Sequence, residues 1–126
     1  MIKRIKTKNA PKAIGVYSQG SIFENLVFTS GQIAINPISG NLVTDNFSKE
    51  VEQVLENVNS VLQAGGSNLD NIIKLTVFIT DMSNFKFVNE VFETFFINEY
   101  PARSVVEVSG LPLNVNIEIE AIGSKI

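Results

Sequence analysis

The apolar pattern changes period on either side of Gly65-Gly66, and that switch restricts the chain to folds in which helices and strands pack against one another. Before the two glycines, Val51, Val54, Leu55, Val58, Val61 and Leu62 recur at steps of three and four, one face of a helix from Phe47 to about Ala64. Asp45 or Asn46 is placed to cap its start, and the glycines stop it. Beyond them, Ile73, Leu75, Val77 and Ile79 alternate with Lys74, Thr76, Phe78 and Thr80, the two-residue period of a strand. A second helix is expected after Asp81 or Ser83, with Phe85, Val88, Phe92, Phe95 and Phe96 on its face and Pro101 ending the stretch.

The remaining segments read as extended chain. Ile2 to Thr7 supplies a short strand, Tyr17 to Gly20 begins a second, and Leu26-Val27-Phe28-Thr29 is a third that runs into Ser30-Gly31-Gln32. The turn formers between Asn36 and Asn41 reverse the chain into a short strand at Leu42-Val43. Strands at about Arg103 to Ser109 and Val115 to Ile122 close the sequence around Gly110 to Asn114. The plan is α+β, a single domain over residues 1–126 with two helices on one face of a mostly antiparallel sheet of five or six strands. Val106, Val108, Ile117 and Ile119 would place apolar groups on both faces of that sheet. The face left by the helices then needs a second copy of the chain as cover, and a homo-oligomer is expected.

Composition narrows the chemistry. The chain has neither cysteine nor histidine, so disulfides and thiolate chemistry are excluded and zinc, copper and haem lose their usual ligands. No metal site and no cofactor is expected. No side chain has an unperturbed pKa near neutrality, so proton transfer falls to a carboxylate, tyrosine, lysine or water. A net charge of −3 with scattered lysines does not make the basic face that nucleic acid requires. There is no signal-peptide-like start and no apolar run approaching about 18 residues, so membrane association is not expected and a cytoplasmic home is.

Arg103 is one of two arginines, the other being Arg4, and it opens an apolar strand. A guanidinium there suits flat, two-pronged recognition of a carboxylate. On residue type alone, a structural tie to Glu107, Glu118 or Glu120 has the stronger claim. Alternation sends Glu118 and Glu120 to one face and Ile117 and Ile119 to the other, but does not say whether Glu118 shares a face with Arg103. Tyr17 and Ser30 bring hydroxyls to the ends of extended segments, and Asn89 lies on the second helix beside Val88. Taken singly, each reads as packing, turn or surface. Ser30 has no histidine or cysteine partner for a nucleophilic triad, and no glycine-rich loop follows a strand to hold phosphate.

Taken in order, the segments Ala10 to Gln19, Phe28 to Ile33, Lys74 to Met82, Val88-Asn89, Pro101 to Ser104 and Ile117 to Ile122 resemble the reactive-intermediate deaminase family, RidA or YjgF, also known as endoribonuclease L-PSP or translation inhibitor. The likeness covers nearly the whole chain. It implies a chorismate-mutase-like α+β fold assembled as a homotrimer, with pockets between neighbouring subunits. It also implies a 2-iminobutanoate/2-iminopropanoate deaminase that hydrolyses enamines and imines, such as 2-aminoacrylate, to 2-keto acids and ammonia. On that resemblance Arg103 takes the substrate carboxylate, Glu118 the water, and Tyr17, Ser30, Gly31, Asn89 and Val105 line the pocket. The partners would be a small imino or enamino acid, a 2-keto acid, and further copies of the chain.

Two positions depart from the family's pattern: Val16 stands where many members have proline, and Val105 where many have cysteine. Valine still offers its backbone N–H and C=O, so a changed pocket shape with retained chemistry is expected. Two other readings stand beside this one: an RNA-cleaving translation inhibitor, and a trimer that binds small ligands or acts as a chaperone without turnover.

Overall fold

In the computed structural model, which describes residues 1–126, one six-stranded sheet carries two helices on a single face. The strands are β1 (Lys3–Ile5), β2 (Gly20–Phe23), β3 (Leu26–Thr29), β4 (Ile72–Ile79), β5 (Ala102–Glu107) and β6 (Ile117–Ser124), and the helices are α1 (Phe47–Ala64) and α2 (Phe85–Phe95). Their order across the sheet is β1-β2-β3-β6-β4-β5. All neighbours are antiparallel except β4 and β5. That exception follows from α2, which carries the chain back along the sheet between these two strands, as a parallel pair requires. Leu42 makes only an isolated bridge with Ile35 in place of the expected strand, because the turn between them leaves no run long enough to ladder.

The helical stripe read from the sequence is the centre of the core. All six of its residues are fully buried, together with Leu75, Val77, Ile79, Ile117 and Ile119 from the facing strands. Each such side chain stabilises the fold by about 1.5–3 kcal/mol relative to exposure. Asn46, not Asp45, caps α1, its side chain accepting from the Lys49 N–H at 3.0 Å. A cap of this kind contributes about 1 kcal/mol. Past the C-terminus, Gly66 takes φ +88°, a conformation that a residue with a Cβ adopts only with strain. A 3-10 turn capped by Asp81 leads into α2, where Val88, Val91, Phe92 and the following Phe96 are buried.

The other face of the sheet carries no helix. On it lie Phe28, Phe78, Val106 and Ile122, with Thr76, Glu118 and Glu120 among them, as the pairings Phe28 with Ile122, Phe78 with Glu118 and Val106, and Thr76 with Glu120 require. Apolar groups therefore occupy both faces, as the sequence pattern suggested. No helix is long and apolar enough to cross a membrane.

Candidate active site

Register decides where the charged candidates point. Arg103 pairs with Leu75, which is fully buried beneath the helices, so Arg103 projects to the helix-covered side at the β5 edge. Its guanidinium carbon lies 5.0 Å from the centre of the Phe92 ring and 5.5 Å from that of Phe85. The two rings are seven residues apart, two turns of α2, and hold the cation from one side. Cation–π contacts of this kind contribute roughly 0.5–2 kcal/mol depending on desolvation.

None of the structural partners allowed for Arg103 is used. It has no hydrogen-bond or ion-pair partner, and burial alone lowers its pKa, with no carboxylate offsetting that effect. Glu107 instead accepts from the Met82 N–H at 2.7 Å. The guanidinium stays charged at neutral pH and opens onto a groove lined by Asn89, Phe92, Glu93, Tyr100 and Pro101. Val105, two residues on, shares this face, pairs with Val77 and packs against the core.

Glu118 goes the other way. It pairs with Phe78 on the helix-free face and is half-buried there. Its carboxylate lies directly against the Cα of Gly31: a Cβ at that position would fall 2.8 Å from the Glu118 Cδ and closer still to Oε2. Only glycine leaves room for this approach. Burial, and secondly the charge of Glu120, push the Glu118 pKa up, toward the range of a working general base.

Tyr17 and Gly31 line one small cleft together with Gln19. The Tyr17 hydroxyl accepts from the Ile14 N–H at 3.1 Å, and Ser30 donates its hydroxyl to the Ser18 carbonyl at 2.5 Å and its N–H to the Gln19 carbonyl at 2.9 Å. The sequence candidates thus fall into two groups. Arg103 and Asn89 share a groove, with Val105 beside them. Tyr17 and Gly31 line another cleft, with Glu118 against Gly31 and Ser30 next to it in the chain.

Within the chain the groups do not meet. From the register, Arg103 and Glu118 are two strands and three residue steps apart on opposite faces, on the order of 14 Å between Cα atoms. A three- or four-carbon ligand does not span that distance, least of all through a sheet.

Three buried polar residues that hold the site were given no role from the sequence. The Gln19 amide donates to the carbonyls of Thr7, Ala10 and Pro11 and accepts from the Thr7 N–H, fixing the loop that carries Tyr17. Asn57 donates to the carbonyls of Ile33 and Ile35, just beyond Gly31. Glu50 accepts from Asn116, two residues before Glu118. Glu50 and Asn57 carried a readable signal, since they fall at helical spacing with the buried Val54 and Val61.

The model of the family described as Endoribonuclease L-PSP matches residues 7–124. The chain is 46% identical over 125 residues to the 2-iminobutanoate/2-iminopropanoate deaminase of Escherichia coli strain K12, covering 97% of each. It is 40% identical over 123 residues to the human protein of the same name, covering 97% of this chain and 90% of that one. Among solved structures, E. coli TdcF with bound serine superposes with a TM-score of 0.93 at 43% identity, covering 98% of this chain and 99% of that one.

Proposed function

The chain belongs to the endoribonuclease L-PSP family, and on that premise we propose that it is a 2-iminobutanoate/2-iminopropanoate deaminase, an enzyme that hydrolyses small imino acids and their enamine tautomers to 2-keto acids and ammonia. Relatives bearing that name match it over nearly their whole length. The observation that carries the reading is Arg103: a half-buried guanidinium, held over two aromatic rings beside Asn89, without an anion of its own. A small carboxylate is the ligand that completes it, through two parallel charge-assisted hydrogen bonds.

The catalytic unit is a homotrimer in which Arg103, Asn89 and Val105 of one copy meet Tyr17, Ser30, Gly31 and Glu118 of the next. Two features support this. The half-sites lie on opposite sides of one sheet, and the helix-free face carries Phe28, Phe78, Val106 and Ile122, with Val106 42% exposed.

The reaction follows from these roles. Arg103 holds the carboxylate, Glu118 takes a proton from a water as its oxygen adds to the imine carbon, and Glu118 returns that proton to the nitrogen, giving a neutral carbinolamine. The carbinolamine then collapses: Glu118 takes the hydroxyl proton and delivers it to the nitrogen, the C–N bond breaks, the C=O forms, and ammonia leaves with Glu118 again a carboxylate. Such imines hydrolyse in water unaided, so positioning and charge complementarity are sufficient sources of acceleration.

RNA cleavage, which the family's name carries, is the weaker reading for this chain. Its net charge is −3 and it has no histidine, whereas phosphodiester binding calls for clustered cations. The deciding experiment generates 2-aminoacrylate with a serine dehydratase and follows pyruvate formation. The wild-type protein is expected to raise the rate above spontaneous hydrolysis and Arg103→Ala to lose most of that increase; equal rates for the two would overturn the reading.

A further inference from the structure

Glu50 is fully buried, yet no step above uses it. It stands in the first turn of α1, where its Oε2 accepts from the Asn116 N–H and its Oε1 from the Asn116 side-chain amide, both at 2.8 Å; the Ile117 N–H is a further donor. No cation accompanies it. Burial raises its pKa while these hydrogen bonds pull the other way. A carboxylate buried without a counter-charge is costly and is tolerated only through its directional bonds, so the segment those bonds hold is the informative part.

That segment is the entrance to β6. The Asn116 carbonyl also accepts from the Thr80 N–H, at 3.2 Å, at the end of β4. Asn116 therefore ties together the first turn of α1, the end of β4 and the start of β6. Two residues later Glu118 lies opposite Phe78 and against Gly31. A slip of one residue in β6 would turn Glu118 to the helix-covered face, because side chains alternate strictly along a strand.

We propose that Glu50 is a positioning residue for Glu118: by gripping both N–H groups of Asn116 it fixes where β6 begins and so aims the Glu118 carboxylate at the cleft beside Gly31. This rests on the deaminase reading for its consequence in turnover, but not for its geometry.

The test uses the full chain and two variants. Glu50→Gln keeps the size of the side chain but turns an NH2 toward an N–H donor, and Asn116→Ala removes the side-chain grip while leaving the backbone N–H. For both, kcat is expected to fall about tenfold, short of the ~100-fold that a 1 Å misplacement can cost, with KM and pyruvate binding nearly unchanged. Independently of turnover, carboxyl-carbon NMR of Glu118, whose charged neighbour is Glu120, is expected to show its pKa falling back toward the ordinary glutamate value as the side chain leaves Gly31. Variants that melt earlier but keep both the wild-type kcat and the wild-type Glu118 titration would overturn the proposal. If the wild-type protein hydrolyses no imine, the deaminase reading fails alone and the titration still decides the role of Glu50. If Glu50→Gln does not fold, Asn116→Ala decides it.

Discussion

Arg103 and Glu118 stand on opposite faces of one sheet, because Arg103 pairs with the buried Leu75 while Glu118 pairs with Phe78 on the helix-free side. Neither can reach a ligand held by the other within a single chain. Each instead faces outward with its own helpers, Asn89 in one case and Gly31 in the other. On the proposed reading these are two half-sites, an arrangement from which repeated copies would build complete pockets at their contacts.

Replacing Arg103 separates charge from shape. Arg103→Ala is expected to lower kcat/KM about 10- to 150-fold, since a hydrogen-bonded charged pair contributes roughly 1.5–3 kcal/mol. Arg103→Lys keeps the charge without the planar fork and should fall between the two. Steady-state kinetics and calorimetric titration with pyruvate check both variants, and both quantities should move together.

Glu118→Gln is expected to lower kcat by about 10²- to 10⁴-fold, the usual worth of a positioned acid–base group, and to leave pyruvate binding intact. Its effect on stability has the opposite sign. The folded-state pKa is raised, so the protonated carboxyl is the form that folding favours. Stability from this group is present below the ordinary glutamate pKa and is lost as pH rises through the raised value. Glu118→Gln should therefore be at least as stable as wild type at neutral pH, as thermal melts across pH would show. In the active protein, kcat should decline on the acid side as Glu118 takes up its proton.

Gly31→Ala offers a test of geometry without changing any functional group. The added methyl would occupy space now held by the end of the Glu118 side chain. That side chain can swing aside, so the fold should persist while turnover falls about 100-fold, the cost of moving a catalytic group by about 1 Å. Wild-type turnover in this variant would mean that Glu118 does not act from where it lies against Gly31.

Much of the architecture was legible because apolar period reports burial directly. The stripe from Val51 to Leu62 and the alternation from Ile73 to Thr80 became α1 and β4 with little change. The parallel pair of β4 and β5, joined through α2, is the one departure from antiparallel order in a sheet expected to be mostly antiparallel. What pattern does not encode is register. Whether Arg103 shares a face with Glu118 depends on which residues pair across β5, β4 and β6, a long-range outcome of loop length and core packing. Gln19, Glu50 and Asn57 escaped notice for a related reason: polar residues are read as exposed, and these are buried with hydrogen bonds to polar groups distant in the chain.

Complementation between two impaired variants tests the composite site most directly. Arg103→Ala and Glu118→Gln are each expected to keep no more than about a tenth of the wild-type turnover alone. If the pocket takes Arg103 from one copy and Glu118 from the next, mixed trimers contain one intact pocket each, and random co-assembly should restore about a quarter of the wild-type sites. Imine hydrolysis that rises well above either variant on co-expression, and does not when the separately purified variants are merely combined, is the expected result. Verified mixed trimers that stay at the level of the single variants would contradict the account.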